Sequence, residues 1–499
     1  MDAETTPVII GVGEIRDRPQ DPEQALDPMG LMAVALGRAG ADAAGGNASE
    51  ADGGGLLARI DSIDLVHQTS WAYADTARTL CARVGIAPRR AEYGVTGGES
   101  PVRYIHQAAM RIAAGESRMA AVTGAEAQYA RAQAKKAGIT LPWPPRADTV
   151  ENRLDPRDLY HPLAVAHGVM APADIYPLYE NAAAPAWDQS PGEALAESAA
   201  LWAGYSAVAA TNPYGWADRA LDARTIATPG PDNRMIAWPY TKSMVANPQV
   251  NQGAAVIIAS LAEARRAGVA EDRMVFLRGG ARANEPRDYL ARDRYDRSTA
   301  QDAVLARTAA LAGRIDAVEL YSCFPIVPKM ARRTLGLDVT DEMTVTGGLS
   351  FFGAPLNNYM TQAACAMVRA LRQGPATTGL LYGQGEFVTK HHALMLAREP
   401  GAEPICLIDA QAEADTARGP VPPLAPEYAG PALLESFTIP YDREGRPRFA
   451  MVLALTPDGR RTVARMDAQD TQALTSLTTS PVGGAGVVTA GELARWTFA

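Results

Sequence analysis

A repeated order of predicted strands and helices is the feature that most constrains this chain. Apolar runs alternate with helical stretches from about residue 8 to 260, and the same order returns from about 274 to 396, with a strand near Thr344. The run 253–260 is nearly all apolar, as expected of a strand covered on both faces. Strands alternating with helices predict mixed sheets covered by helices, and hence an α/β protein of two similar halves.

Two segments interrupt this repeat. Residues of about 126–250 are rich in Pro, Trp and Tyr and predict an inserted loop or cap region in the first half. A Pro-rich linker at 419–426 leads to short predicted strands separated by turns, which is typical of a small β-rich, OB-like domain. The predicted domains are an N-terminal half at 1–268, a C-terminal half at 269–412 and the β-rich domain at 413–499.

Composition excludes several classes of partner. The chain has 499 residues and a net charge of -9 without a block of Lys and Arg, which argues against nucleic acid and anionic membranes. No apolar run approaches about 18 residues, and a strand rather than a basic leader comes first, so we expect a cytoplasmic protein. The four cysteines and the histidines lack metal-ligand spacing, so neither disulfides nor a metal site is predicted.

Four short segments stand at the ends of predicted strands, at 95–101, 319–325, 344–355 and 379–385. In type, order and spacing they resemble the active-site loops of the thiolase superfamily. Motifs elsewhere, including 176–181 and 206–214, narrow the resemblance to type 1 thiolase-like proteins. These relatives of the sterol-carrier-protein thiolases carry an additional C-terminal domain and are often labelled acetyl-CoA acetyltransferase. The resemblance implies a thiolase fold of two mixed-sheet halves.

Matching these segments to the thiolase loops indicates that the catalytic side chains of thiolases are replaced in this chain. Gly98 stands where the nucleophilic cysteine is found, and glycine has no side chain that could attack a thioester. Ala354 takes the place of the histidine in Gly-His-Pro, and Leu381 that of the acid/base cysteine. Tyr321 replaces the Asn or His that holds an oxyanion-hole water. The resemblance therefore implies the fold without a reaction through an acyl-cysteine.

Three residues are the candidates for catalysis. Tyr321 is either a packed, hydrogen-bonded phenol or a hydrogen-bond donor and acid/base in the pocket. Glu99 is either a solvated loop carboxylate or a base. His391 follows the last glycine loop, where it either reaches the pocket or caps a strand end. Ser100 and Pro101 predict the N-cap and first position of a helix whose positive end points at the pocket.

The expectation that the protein binds coenzyme A (CoA) comes from the resemblance to thiolases and not from the residues themselves. The segment 246–255 matches the thiolase loop that touches the pantetheine, with Pro248 in place of its serine. Lys242 and Arg103 are candidate phosphate contacts, although each could also be an ordinary surface cation. A CoA thioester is thus expected as substrate or ligand, and no covalently bound cofactor is predicted.

Three functions agree with these features. One is an acyl-CoA-binding protein with acyltransferase-type or carbon–carbon bond chemistry in lipid metabolism, without a nucleophilic cysteine. Another is a retro-aldolase acting on a β-hydroxyacyl thioester through Tyr321. The third is a non-catalytic acyl-CoA-binding or scaffold protein, which a pocket plugged by Phe351, Phe352 or Tyr382 would favour. The resemblance also suggests a homodimer through the thiolase core, and the tail is expected to dock on that core.

Overall fold

A ten-stranded mixed sheet organises most of the chain. The computed structural model describes residues 2–45, 55–152, 154–155, 159–479 and 482–499. The strands of the sheet are β1 (Pro7–Arg16), β2 (Ser62–Leu65), β3 (Arg90–Tyr93), β4 (Met119–Ala127), β7 (Asn251–Ser260), β8 (Val275–Asn284), β9 (Ala317–Leu320), β10 (Thr378–Gly385), β11 (Lys390–Ala397) and β12 (Cys406–Asp409), and the short pair β5 (Met235–Ala237) and β6 (Tyr240–Thr241) stands apart from it.

The sheet preserves the two halves that the sequence predicts. The first half has the order β3-β2-β4-β7-β1 and the second the order β8-β11-β10-β9, with β12 added beside β8. Only two residue pairs join β1 to β8, Val8 with Phe276 and Ile9 with Val275. The halves therefore meet along a short seam. The predicted α/β architecture of two similar mixed-sheet halves is confirmed.

Two inner helices lie between the halves and determine where the site can form. Helices α3 (Ser100–Ala113) and α12 (Tyr359–Gln373) contact each other and strands of both halves. Their N-terminal ends lie at the same edge of the core. The other helices of the two halves are α1 (Pro28–Ala43), α2 (Thr76–Val84), α9 (Leu261–Arg266), α10 (Thr299–Ala309), α11 (Ile326–Leu335) and α13 (Gln411–Ala417).

The inserted segment is more helical than its composition suggests. Pro172 and Pro191 stand at the starts of its two longest helices, where proline is favoured because its missing N–H has no partner there anyway. Ser190 and Glu193 add a capping box to the second of them. The helices of this cap are α4 (Gln128–Ala137), α5 (Pro162–Ala166), α6 (Pro172–Ala186), α7 (Pro191–Thr211) and α8 (Ala223–Ala227).

The tail is a closed five-stranded barrel, which confirms the predicted β-rich, OB-like domain. Its last strand and its helix were not predicted from the sequence. Both are short, and the helix is composed largely of Thr and Ser, which are weak helix formers. The barrel elements are β13 (Gly430–Thr438), β14 (Phe449–Leu455), β15 (Arg461–Asp467), α14 (Thr471–Thr479), β16 (Ala485–Thr489) and β17 (Arg495–Phe498).

The barrel is docked on the rest of the protein by buried polar contacts. Arg461 is fully buried and donates to the carbonyl oxygens of Leu290 and Arg292, each at 2.7 Å. Ser436 of β13 donates to the carbonyl oxygen of Leu178 in α6 at 2.5 Å. The barrel thus supports the cap helix α6, as expected of a tail that docks on the core.

The predicted strand near Thr344 is wrong. Residues 341–347, which the structure describes, form bends and irregular loop structure instead. The reason is the buried carboxylate of Glu319, which accepts bonds from the Thr344 hydroxyl at 2.9 Å and from the Val345 N–H at 2.8 Å. A loop wrapped around a buried carboxylate satisfies that charge, whereas a strand would direct its N–H groups to a neighbouring strand.

Candidate functional site

A largely apolar cavity of about 470 Å³ lies where the motif segments meet the cap. Its wall includes residues just before the inner helices α3 and α12, the loops after β9 and β10, and the start of α6. Cavities of this size and character are typical of small-molecule sites. Five aromatic rings belong to the wall, those of Tyr160, Tyr176, Tyr321, Phe324 and Phe387.

Hydrogen bonds hold the separate segments together around the cavity. The Gly97 N–H donates to the Asn357 side-chain oxygen at 3.0 Å, which ties the loop before α3 to the loop before α12. The Ala246 N–H donates to the carbonyl oxygen of Cys323 at 3.1 Å, which ties the segment matched to the pantetheine loop to the loop after β9. The cavity wall is therefore a bonded assembly of loops that are distant in sequence.

Gly98 leaves room for the hydroxyl group of Tyr321. A Cβ atom built on Gly98 would lie 2.4 Å from the Tyr321 hydroxyl oxygen and 2.4 Å from the backbone oxygen of Gln384. Real Cβ atoms do not make such contacts, and the backbone oxygen cannot swing aside as a side chain would. The position that the resemblance assigns to a nucleophilic cysteine is therefore filled by a tyrosine hydroxyl.

The Tyr321 hydroxyl is available to a ligand. The residue is 7% exposed and belongs to the cavity wall, and its hydroxyl forms no hydrogen bond with any residue that the structure describes. Burial, together with the neighbouring Cys323 and Glu99, raises the pKa of Tyr321 well above its usual value. The phenol therefore keeps its proton at neutral pH and can donate a hydrogen bond to an oxygen atom in the cavity.

The thiol group of Cys323 lies in the same cavity wall and is unreactive. Burial raises the pKa of Cys323 to about 12, so the thiolate that would act as a nucleophile is not formed near neutral pH. Its sulfur accepts a hydrogen bond from the Gln384 side-chain amide at 3.6 Å. No histidine is among the described wall residues to act as its base. Cys323 therefore packs as a small buried residue.

Glu99 lies behind the wall rather than in it. It is 5% exposed, and one carboxylate oxygen has no partner in the described part of the chain. A Cβ atom on Gly97 or on Gly385 would lie 2.4 or 2.1 Å from that oxygen, so the two glycines bring their backbones close to the carboxyl group. Burial raises the pKa of Glu99. Its predicted action as a base stays a prediction.

The predicted helix cap at Ser100 is wrong. Helix α3 begins at Ser100 itself, and Glu99 takes the N-cap position without a side-chain capping bond. The Ser100 N–H donates to the carbonyl oxygen of Gly97 at 3.1 Å, so a tight turn precedes the helix and shifts its start by one residue. The Ser100 hydroxyl is buried, and the described residues give it no hydrogen-bond partner.

A carboxylate that the sequence analysis missed lies in the cavity wall. Glu386 has a left-handed backbone with φ of 58° and forms ion pairs with Arg287 at 2.6 Å and Lys390 at 2.8 Å. Burial opposes its ionisation, but hydrogen bonds from these two cations lower the pKa of Glu386 below its usual value. The four-residue spacing of Glu386 and Lys390 after Gly385 was the available sequence signal.

His391 is not brought to the cavity. Its ring is buried, with Nδ1 2.8 Å from the Tyr382 hydroxyl and Nε2 3.2 Å from the carbonyl oxygen of Val388. It faces Ser298, the N-cap of α10, at 3.3 Å. Burial lowers the pKa of His391 to about 4, so the ring is neutral at physiological pH. These contacts tie β11 to the start of α10.

The three residues predicted for the CoA region are not brought together. Pro248 belongs to the cavity wall. Lys242 is exposed, with its ammonium group 3.5 Å from the carbonyl oxygen of Asp232. Arg103 lies with its guanidinium 4.6 Å from the centre of the Tyr104 ring. Neither cation is among the wall residues.

Ala354 and Leu381, which stand where thiolases have catalytic side chains, differ in whether they line the cavity. Ala354 belongs to the wall, whereas Leu381 is fully buried in β10 outside it. Phe351, Phe352 and Tyr382, the rings considered as plugs, are buried in the core and not part of the wall. The cavity therefore stays open. Within the described residues, no group of three or more His, Cys, Asp or Glu side chains is arranged to hold a metal ion.

Comparisons with known proteins agree with this architecture. A family model described as "Thiolase-like protein type 1 additional C-terminal domain" matches residues 411–492. The crystal structure of a monomeric SCP2-thiolase-like protein type 1 from Mycobacterium smegmatis superposes with a TM-score of 0.82, at 27% identity and over 100% of both chains. This chain is a thiolase-superfamily protein with an additional C-terminal domain. A comparison with curated proteins finds no match.

More distant structures share the thiolase fold alone. Human mitochondrial 3-ketoacyl-CoA thiolase in complex with CoA matches at 15% identity and a TM-score of 0.54, over 80% of this chain and 99% of the other. The Ltp2-ChsH2(DUF35) aldolase matches at 16% identity and a TM-score of 0.58, over 79% and 98%. In both cases about a fifth of this thiolase-like protein lies outside the match.

Two further predictions concern a homodimer and membrane-spanning helices. The M. smegmatis protein is described as monomeric, so the comparison gives no support to the predicted homodimer of this thiolase-like protein. Among the described helices, none has the length and apolar character needed to cross a membrane.

Proposed function

We propose that this thiolase-like protein binds the acyl part of a CoA thioester in the cavity and acts on it without an acyl-cysteine. The single observation that carries the proposal is the Tyr321 hydroxyl, which occupies the space above Gly98 and has no partner among the described residues. The mostly apolar wall suits an acyl chain, whose transfer from water is favourable. The protonated Cys323 thiol supports a site that holds thioesters non-covalently.

The role assigned to Tyr321 is that of a hydrogen-bond donor to the carbonyl oxygen of the thioester. A phenol that keeps its proton can donate to the carbonyl oxygen of the thioester, which draws electron density away from the carbonyl carbon. Negative charge that develops on this oxygen during a reaction would be stabilised by the same hydrogen bond. Burial strengthens such a bond because water does not compete with it. The open cavity favours this proposal over the scaffold hypothesis.

Retro-aldol cleavage of a β-hydroxyacyl thioester is the second candidate, favoured by Glu386 in the same wall as Tyr321. In this reaction the Glu386 carboxylate takes the proton of the β-hydroxyl group, and the bond between the α and β carbons breaks. The β carbon leaves as an aldehyde or ketone. The electron pair forms a thioester enolate, whose oxygen Tyr321 would stabilise, and the proton returns to the α carbon. Atoms and charge balance without a further reactant.

The Tyr321→Phe variant is expected to weaken acyl-CoA binding about tenfold, because one hydrogen bond of about 1.4 kcal/mol to the carbonyl oxygen is lost. Isothermal titration calorimetry with a panel of acyl-CoAs of different chain length measures the change. Incubation with β-hydroxyacyl-CoAs and mass detection of products tests the second candidate, for which the same variant should lose at least a hundredfold in rate.

Tyr160→Phe is the matched control, since this ring lies in the same wall but its hydroxyl already donates to the carbonyl oxygen of Met170 at 2.7 Å. Its affinity for acyl-CoA should equal that of the wild type. Equal binding by Tyr321→Phe and the wild type would refute the assigned role of Tyr321. If no acyl-CoA in the panel binds, the thioester site itself is refuted.

A further inference from the structure

Two guanidinium groups of the barrel pack against one aromatic ring. The Cζ atoms of Arg448 and Arg465 lie 5.4 and 3.9 Å from the centre of the Phe449 ring. Neither arginine forms an ion pair with any residue in the described ranges. Two like charges on one ring repel each other, and an anion bound between them would relieve that repulsion.

The surrounding charges leave an excess of positive charge. Arg495 is the register partner of Arg465 on the neighbouring strand and forms an ion pair with Asp467. Burial, together with Arg448 and Arg495, lowers the pKa of Arg465, and the nearby Asp467 carboxylate opposes this shift. Asp174 of α6 is the other acidic group close to Arg448, and burial raises the pKa of Asp174 to about 6. Three arginines thus face two carboxyl groups, one of which already serves Arg495.

Arg465 contacts the chain segment that leads into the cavity wall. Arg465 donates to the carbonyl oxygen of His167 at 3.4 Å. Ala171, four residues further along the chain, belongs to the cavity wall. An extended chain covers about 3.3–3.6 Å per residue, so at most about 14 Å of backbone separates the two positions. A long flexible ligand can therefore reach from the arginines into the cavity.

Among the residues that the structure describes, the cavity wall has no cation for a nucleotide. Glu386 is the one charged side chain among the described wall residues, and its charge is negative. Lys242 and Arg103 lie outside the wall. A CoA thioester carries a diphosphate and a 3′-phosphate far from its acyl group, and these groups need cationic partners outside the cavity.

We propose that Arg448 and Arg465, with Arg495 beside them, form a phosphate site that holds the nucleotide end of the CoA thioester. The proposal rests on the thioester function proposed above and gives the additional domain a direct part in it. The pantetheine arm runs from the barrel past Ala171 into the cavity. Arginine suits this site because its planar donors match phosphate oxygens and its guanidinium group can pack against an aromatic ring such as Phe449.

The test compares ligands with and without the nucleotide. The double variant Arg448→Gln/Arg465→Gln should bind acyl-CoA at least tenfold more weakly than the wild type, while its affinity for the matched acyl-pantetheine stays within twofold. Free 3′,5′-ADP should displace acyl-CoA from the wild type, and inorganic phosphate should do so only at much higher concentration. Calorimetry measures the affinities, and thermal unfolding verifies that the variants fold.

Arg460→Gln is the matched control, because Arg460 lies in the turn at the opposite end of the β14–β15 hairpin, paired with Asp458 at 2.7 Å. It should bind both ligands as the wild type does. Unchanged acyl-CoA affinity in the double variant would overturn the phosphate site but leave the thioester site standing. Equal weakening for both ligands would also overturn it. A wild type that binds neither ligand would refute the thioester site itself.

Discussion

Replacing Lys329 by methionine should destabilise the protein by about 3–5 kcal/mol, because it leaves a buried charge without its partner. Lys329 of α11 is fully buried, and its ammonium group lies 2.5 Å from the Glu180 carboxylate and 3.1 Å from the carbonyl oxygen of Ala194. Glu180 is buried as well, so water cannot replace the lost cation. Urea unfolding measures the difference in the free energy of unfolding.

The effect should reach the cavity, since α11 begins directly after the loop that carries Tyr321 and Cys323. The double variant Lys329→Met/Glu180→Gln should recover much of the loss, because no unpaired charge remains buried. Arg333→Met on the same helix is the control. Its side chain is 28% exposed, so we expect a loss of about 1 kcal/mol. A loss in Lys329→Met no larger than in this control would contradict the account.

The His106→Gln variant should resist acid better than the wild type. His106 of α3 donates from Nε2 to the carbonyl oxygen of Cys406 at 3.0 Å, so its Nδ1 must accept from His392 at 3.0 Å. Burial lowers the pKa of His106 to about 4. The stability that the neutral ring provides is complete above the unfolded pKa of about 6.5 and is lost as the pH falls toward 4.

Glutamine can donate to the Cys406 carbonyl but does not titrate. Between pH 7 and pH 4 the wild type should therefore lose about 3 kcal/mol more of its free energy of unfolding than His106→Gln. Comparing the two proteins cancels the titration of buried carboxyl groups such as Glu126, which works in the opposite direction. Identical profiles for His106→Gln and the wild type would contradict the neutral histidine pair.

The two halves and the barrel are predictable because their strands are apolar runs bounded by turn residues. The prediction near Thr344 failed because the buried Glu319 carboxylate, which draws that segment into a loop, cannot be recognised from spacing. The cap was underestimated for a different reason. Proline counts suggest loops, but Pro172 and Pro191 begin helices, and the Ser190–Glu193 pattern signals only the second of these helices in the sequence.

The sequence predicted which loops form the site, but not how their side chains are arranged. The motif segments place Tyr321 and Gly98 near each other, yet only coordinates reveal that the hydroxyl of one fills the space left by the other. His391 lies in a strand, where a shift of one residue reverses the face to which a side chain points. Glu386 was missed because its left-handed backbone and its ion pair with Arg287, 99 residues away in the chain, are not visible in the sequence, and the spacing to Lys390 alone does not indicate a position in the wall.

The most direct test of the central claim is the mass of the protein after incubation with acyl-CoAs, recorded under native and then denaturing conditions. A non-covalent site above Gly98 predicts a native complex heavier by one acyl-CoA, and a denatured chain of unchanged mass. Tyr321→Phe should reduce the native complex. A stable acyl adduct on the denatured chain, mapped to Cys323, would make that residue a nucleophile and would contradict the account.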